Sequence, residues 1–226
     1  MKRERVLVIL AKWPRAGRAK RRLSHTLGTR DAIALARAFL ADTLALARSC
    51  GADTVIVAYA PPAARSAFAK LAPTARLVAQ SRAGFGARLR RALDAGHAEG
   101  KRVVLIGTDS PTLPAAIVRR GFARLERADC VLGPATDGGY YLIGAREPLP
   151  RALFARIPWS SGAVAAETRA RARDAGLRVA LLPTWYDVDD EAGLARLAAD
   201  RALSRAPHTR AALSRLTPRG RRPIPS

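Results

Sequence analysis

The stretch Arg5-Val6-Leu7-Val8-Ile9-Leu10-Ala11 decides the fold of this chain. It is a short, continuous apolar run without polar alternation, which is typical of a strand that is buried on both faces. Six further apolar runs follow, at residues 54–60, 76–80, 102–107, 129–133, 140–144 and 178–182. Segments with helical periodicity lie between them, at about residues 30–49, 62–72, 86–99, 114–126, 161–175 and 190–203. This alternation predicts an α/β fold with a mostly parallel central sheet that is covered on both faces.

The length of 226 residues allows one sizeable core without disulfides or metals. We therefore expect a single domain over residues 1–204. From residue 205 the periodic pattern is lost, and Pro218, Pro223 and Pro225 interrupt any continuing helix. We expect residues 205–226 to form a basic, proline-containing, frayed tail.

The charge balance is strongly basic, with 40 Lys and Arg against 18 Asp and Glu and a net charge of +22. Such an excess favours an anionic partner, and a basic nucleic-acid-binding module is one alternative. Only five of the 40 basic residues are lysines, a bias that is also typical of GC-rich genomes. Aromatic residues make up only 5% of the chain, whereas nucleic-acid-binding surfaces interleave aromatic and basic side chains. We therefore expect no nucleic acid among the partners.

The first apolar run imitates a signal peptide but stops at Lys12, and such a peptide needs about 7 to 15 apolar residues before a cleavage site. No run approaches the roughly 18 apolar residues that would span a bilayer. Cys50 and Cys130 lack C-x-x-C spacing and are interpreted as core residues in a reducing compartment. We expect a cytoplasmic protein without a membrane span.

A basic loop follows the first strand and carries Lys12, Gly17, Lys20 and Arg22. Ligands of open α/β sheets bind at the carboxyl ends of the strands, and Arg and Lys side chains bind phosphate oxygens there. The loop therefore favours a di- or triphosphate ligand. A merely solvated basic loop is the alternative, because neither the P-loop pattern nor G-x-G-x-x-G is present.

Asp109 follows the fourth strand, in Gly107-Thr108-Asp109-Ser110-Pro111. A carboxylate in this position can hold Mg²⁺ or Mn²⁺ against a pyrophosphate. An Asx-turn or a cap of the next helix is the structural alternative.

Asp187 and Asp189 follow the last strand and point the same way on an extended segment, as a second pair of metal ligands would. The alternative is that Asp189 or Asp190 caps the final helix. Capping does not explain Asp187.

The sequence Asp137-Gly138-Gly139 lies between two apolar runs and is first of all a hairpin turn. The glycines also allow a ligand to approach the backbone. Thr136 and Asp137 are placed to hydrogen-bond a substrate hydroxyl.

These segments, in this order, resemble the DUF2064 family of bacterial glycosyltransferase-A-type proteins, a group of nucleotide-diphospho-sugar transferases that is related to phospholactate-type guanylyltransferases. The matching positions are Lys12, Pro14, Gly17, Lys20, Arg22, Leu23, Gln80, Gly86, Arg88, Gly107, Asp109, Pro111, residues 133–144, Trp159, Ser160, Asp187, Val188 and Asp189. The match spans about residues 5–200. Arg21 and Ser161 depart from the family pattern, which has threonine at both positions.

The resemblance implies a Rossmann-like, three-layer α/β/α sandwich that uses Mg²⁺ or Mn²⁺. It implies nucleotide or phosphate binding by Lys12, Gly17, Lys20, Arg22, Gln80 and Arg88. Together with the strand-end positions, it assigns metal binding to Asp109, Asp187 and Asp189, catalysis to Asp109 and Asp137, and acceptor binding to Thr136, Gly138 and Gly139.

The function that we predict is transfer of a sugar from a nucleotide-diphosphate donor to an unknown small-molecule acceptor. Nucleotidyl transfer to a small phosphorylated acceptor is the alternative, because the basic loop can also bind a triphosphate. The loop L-A-A-G-x-G-x-R-M of sugar nucleotidyltransferases is absent from the chain.

Overall fold

A computed structural model of the chain describes residues 3–16, 20–159 and 161–216. Its centre is a seven-stranded sheet. The strands are β1 (Arg3–Lys12), β2 (Thr54–Ala60), β3 (Arg76–Ala79), β4 (Gly100–Ile106), β5 (Cys130–Pro134), β6 (Tyr140–Ala145) and β7 (Val179–Leu181). All seven correspond to the apolar runs of the sequence.

The strand order in the sheet is β3-β2-β1-β4-β6-β5-β7. Strands β1, β2, β3 and β4 pair in parallel, and β5 pairs in parallel with β7. Strand β6 is antiparallel to both of its neighbours, because a short turn joins it to β5. The predicted α/β class with a mostly parallel sheet is therefore confirmed.

Eight α-helices surround the sheet in the described part of the chain. They are α1 (Arg21–Leu27), α2 (Thr29–Ser49), α3 (Arg65–Leu71), α4 (Phe85–His97), α5 (Ala115–Arg124), α6 (Val164–Asp174), α7 (Glu191–Ala199) and α8 (Pro207–Leu213). A 3-10 helix at Arg151–Phe154 also packs on the sheet, against α4 and α6.

Strand β1 shows why the sheet has helices on both faces. Leu7 and Ile9 contribute to a core shared with α2, α3 and α5, whereas Val6 and Val8 contribute to a core shared with α4 and the 3-10 helix. All four side chains are fully buried, and burial of each such side chain contributes roughly 1.5–3 kcal/mol. The chain therefore forms the three layers that were expected.

Helix α1 replaces part of the loop that the sequence predicts after β1. Its polar sequence carries little helical signal, but Leu23 is fully buried. Leu23 packs in a third core with Phe39, Tyr186 and Val188. The helix therefore depends on contacts with the distant carboxyl-terminal part of the chain.

The prediction of a frayed tail from residue 205 is wrong for Pro207–Leu213, which form helix α8. Asp42 of α2 is only 3% exposed, and its carboxylate accepts the backbone N–H groups of His208 (3.1 Å) and Thr209 (2.7 Å). A carboxylate at a helix amino terminus satisfies donors that have no partner inside the helix. Residues 217–226 of the predicted tail lie outside the described residues.

Both cysteines, Cys50 and Cys130, are buried and unpaired, as expected of core residues. None of the helices in the described part of the chain is both long enough and apolar enough to cross a membrane.

Replacing Asp42 by alanine removes both acceptors at the start of α8. We expect the free energy of unfolding to fall by about 1–2 kcal/mol, since the buried N–H group of Thr209 and the partly buried one of His208 lose their partner. Urea denaturation measures this loss, and amide exchange should accelerate first in residues 207–213. Asp174→Ala is the control, because Asp174 is exposed at the end of α6. Equal urea midpoints for the two variants would show that Asp42 does not anchor the helix.

Candidate functional site

A cleft of about 720 Å³ opens at the carboxyl ends of the parallel strands. It lies where the strand-end argument places a ligand. Residues of every candidate segment line it. Those among the predicted site residues are Lys12, Lys20, Arg22, Gln80, Arg88, Asp109, Asp137, Gly139, Asp187 and Asp189.

Backbone hydrogen bonds join the three segments that carry the aspartates. The amide of Thr136 donates to the carbonyl of Trp185 (2.9 Å), and the amide of Val188 donates to the carbonyl of Asp109 (2.8 Å). Asp109, Asp137, Asp187 and Asp189 are therefore held at one edge of the sheet, although they are far apart in sequence.

The convergence of these carboxylates is visible in the pKa of Asp187. Burial raises this pKa first, and the negative charges of Asp137, Asp189 and Asp109 raise it further, to about 6. Like charges disfavour one another's ionised form, so this cluster favours a cation in the cleft.

Lys20 provides a cation in this conformation. Its ammonium group forms ion pairs with Asp109 and with Asp189, the latter at 2.7 Å, and it lies 5.3 Å from the ring centroid of Phe39 in α2. The Lys20 side chain is only 7% exposed. Burial alone would lower its pKa, but the attraction of the two carboxylates outweighs burial and raises the pKa, so the amine is charged.

The sequence left open whether the aspartates cap helices or stabilise turns, and the structure gives a separate answer for each. Helix α5 begins at Ala115 without a side-chain cap, so Asp109 does not cap it. Asp190 caps α7 by accepting the amide of Gly193 at 2.9 Å, which leaves Asp187 and Asp189 facing the cleft. Asp137 does stabilise its turn, because Oδ1 accepts the amide of Gly139 at 2.8 Å.

Gln80 joins the ends of two strands at the edge of the cleft. Its Nε2 donates to the carbonyls of Ala11 (2.9 Å) and Ala58 (2.6 Å). Its Oε1 is buried without a hydrogen-bond partner among the described residues. The side chain therefore has a structural role and also leaves an acceptor beside the predicted nucleotide site.

The predicted acceptor residues divide into two groups. Gly139 lines the cleft, whereas Thr136 and Gly138 are absent from its lining among the described residues. Gly138 has a φ of +86°, and a Cβ there would lie 2.0 Å from the carbonyl oxygen of Gly162. The turn itself therefore requires glycine at position 138. Gly17 and Ser160 lie outside the described residues.

Three aromatic residues that the sequence does not single out for the site also line the cleft, namely Phe85, Tyr140 and Trp159. Their ring centroids lie 4.8 Å apart for Phe85 and Trp159, and 6.5 Å apart for Tyr140 and Trp159. We call this cluster the aromatic wall. The sequence carries one signal for this wall, which is the large apolar side chain of Phe85 at the start of the helix that follows β3.

The aspartates fit a divalent cation by the chemistry of their ligands, because Mg²⁺ and Mn²⁺ prefer carboxylate oxygens. In this conformation no three acidic, histidine or cysteine side chains of the described residues form a group that could hold a metal ion. The ammonium of Lys20 pairs with two of the aspartates instead. Metal binding therefore requires Lys20 to leave these carboxylates.

Comparison with known proteins shows the family of this chain. The profile of the family described as "Uncharacterized protein conserved in bacteria (DUF2064)" matches residues 43–161. A crystal structure from Desulfovibrio desulfuricans G20, provisionally named a nucleotide-diphospho-sugar transferase, is 32% identical, with 94% of each chain covered and a TM-score of 0.85. This chain belongs to the DUF2064 family.

Two more distant structures show that the DUF2064 fold is shared with enzymes of two kinds. A nucleotidyl transferase from Methanothermobacter thermautotroptrophicus is 17% identical, with 86% of this chain and 95% of that chain covered and a TM-score of 0.53. Glucosyl-3-phosphoglycerate synthase from Mycobacterium tuberculosis, solved with Mn²⁺ and UDP, is 15% identical, with 91% and 80% covered and a TM-score of 0.51. No curated protein matches the chain significantly.

Replacing Lys20 by methionine keeps the length of the side chain and removes its charge. We expect Mn²⁺ to bind about tenfold more tightly in the absence of nucleotide, because the metal no longer competes with the ammonium for Asp109 and Asp189. Electron paramagnetic resonance of free Mn²⁺ measures this affinity. Lys101→Met, at an exposed position of β4, is the control. Unchanged or weaker Mn²⁺ binding by the Lys20 variant would contradict the competition.

Proposed function

We propose that this DUF2064 protein is a metal-dependent glycosyltransferase that moves a sugar from a nucleoside-diphosphate donor to a small-molecule acceptor. The observation that carries this proposal is the composition of one cleft. It contains basic side chains on one side, at Lys12, Lys20 and Arg22, and the carboxylates of Asp109, Asp137, Asp187 and Asp189 beside them.

The basic residues are suited to the diphosphate of the donor. Arg22 offers a planar pair of donors to phosphate oxygens, and Lys20 offers a point charge. Once a cation neutralises Asp109 and Asp189, the ammonium of Lys20 becomes available for the phosphates. Gln80 and Arg88, which also line the cleft, are proposed to contact the nucleotide.

Asp109, Asp187 and Asp189 would hold Mg²⁺ or Mn²⁺ in this proposal. When bound, the metal supplies a positive charge that stabilises the departing diphosphate. The titration of Asp187 near neutrality does not prevent this role, since a bound cation favours its ionised form.

Asp137 is the candidate base. Its side chain is exposed in the cleft, and one oxygen is fixed by the amide of Gly139. In the proposed step the acceptor oxygen bonds to the anomeric carbon, the bond from that carbon to the diphosphate oxygen breaks, and the acceptor proton passes to Asp137. The nucleoside diphosphate leaves, and Thr136, Gly138 and Gly139 are proposed to support the acceptor side.

The metal assignment is testable by thermal shift without knowledge of the acceptor. UDP with Mn²⁺ should raise the melting temperature of the wild type more than either alone, because metal and diphosphate bind together. Asp109→Ala should lose this joint shift, whereas Asp174→Ala should keep it. A joint shift that survives in the Asp109 variant would disprove the metal role of Asp109.

The products separate glycosyl from nucleotidyl transfer. A nucleotide-sugar donor incubated with protein and metal should slowly release free nucleoside diphosphate, detected by chromatography, as the sugar is transferred to water in place of the acceptor. The fold is also shared with a nucleotidyl transferase, so nucleoside triphosphates with sugar phosphates are assayed in parallel. Release of pyrophosphate from those mixtures, with no nucleoside diphosphate from nucleotide sugars, would contradict glycosyl transfer.

A further inference from the structure

We infer that the aromatic wall of Phe85, Tyr140 and Trp159 binds the acceptor, and that the acceptor is a cyclic molecule with an apolar ring face and a free hydroxyl. This inference rests on the proposed function and names the class of acceptor. The starting observation is exposure. Phe85 is 38% exposed, and among the described residues only Phe85 and Leu181 are large hydrophobic side chains with such exposure.

The wall is a built feature of the cleft. Phe85 is the first residue of α4 and packs edge-on against Trp159, with an interplanar angle of 77°. Helix α4 approaches closely because Gly86 has no side chain. A Cβ at this position would lie 2.5 Å from the carbonyl oxygen of Phe154 and 3.0 Å from Cζ2 of Trp159.

The loop that carries Trp159 is fixed from its outer side by Arg171 of α6. The guanidinium of Arg171 donates to the carbonyls of Ala152, Ala155 and Arg156, and its Nε donates to Glu167 at 2.8 Å. One side chain thus hydrogen-bonds three carbonyl groups in and just after the 3-10 helix. Because these bonds hold the loop in place, the aromatic face is largely preorganised for a ligand.

The wall lies beside the candidate base. Tyr140 follows the turn of Asp137, Gly138 and Gly139 directly in sequence. On the other side of that turn, the carbonyl of Gly138 accepts the amide of Ala165 at 2.9 Å, which ties the turn to the start of α6. A ring on the wall would therefore present a hydroxyl toward Asp137.

The wall adjoins the donor side at Arg88, whose guanidinium carbon lies 5.5 Å from the centroid of the Phe85 ring, but it lies in another layer than Lys20. Lys20 contacts Phe39 of α2, in one helical layer, whereas Phe85 begins α4, in the other layer. The aspartates at the strand ends lie between the two layers. A donor held by the basic side chains would thus meet an acceptor held by the aromatic side.

Aromatic faces bind the apolar faces of sugar and phenol rings, and such stacking is worth about threefold to tenfold in affinity. A linear polyol has the same hydroxyl groups but no flat apolar face. The inference therefore separates cyclic from linear acceptors.

Saturation-transfer difference NMR tests the inference with the full chain and Mg²⁺. The probes are methyl β-D-glucopyranoside, phenol and the linear polyol sorbitol, with UDP as the nucleotide probe. We expect one or both rings to receive at least threefold more saturation than sorbitol, and the stronger ring identifies a carbohydrate or a phenolic acceptor. Phe85→Ala should remove this difference, Phe85→Tyr should retain it, and both variants should still give a UDP signal. Leu181→Ala is the matched control, because Leu181 is equally exposed but lies outside the lining of the cleft.

The outcomes distinguish this inference from the proposed function. Normal UDP binding with no preference for rings over sorbitol would overturn the inference and leave the nucleotide site intact. Loss of the UDP signal in Phe85→Ala would assign the wall to the nucleobase and also overturn the inference. Absence of binding by the wild type of UDP and, in parallel samples, of GDP and dTDP would overturn the proposed function and, with it, the acceptor assignment.

Discussion

Electrostatic repulsion among four aspartates is the constraint on which the site depends. The backbone holds Asp109, Asp137, Asp187 and Asp189 at the same edge of the sheet, and burial together with the charges of the other three raises the pKa of Asp187. A nearby cation relieves this repulsion. Lys20 supplies this cation here, which makes its ammonium both a structural partner of the carboxylates and a competitor of any metal.

The sheet could be predicted from the sequence because each strand is a continuous apolar run. Such a run can be recognised without knowledge of its contacts with the rest of the chain. The aspartates could be predicted because the carboxyl ends of parallel strands meet at one edge. Helix α1 could not, since it depends on the packing of Leu23 against Tyr186 and Val188. Helix α8 was missed for a similar reason, because Asp42 is 166 residues away from His208, whose amide it binds.

The site also has features that local sequence predicts and features that depend on long-range contacts. From the sequence, Lys20 is predicted to bind phosphates. In the structure its partners are two carboxylates, one of which, that of Asp189, lies 169 residues away in sequence. The aromatic wall combines residues from α4, β6 and the loop before α6, so no single segment carries its pattern. Long-range contacts therefore account for most of what the sequence did not predict.

Diffraction at the manganese absorption edge, from crystals of the protein with Mn²⁺ and UDP, tests the central claim most directly. We expect one anomalous peak within bonding distance of Asp109 and Asp189, with Lys20 moved from these carboxylates to the phosphates of UDP. A bound UDP with Lys20 still paired to both aspartates, or a manganese peak away from them, would show that no metal replaces Lys20 at this site.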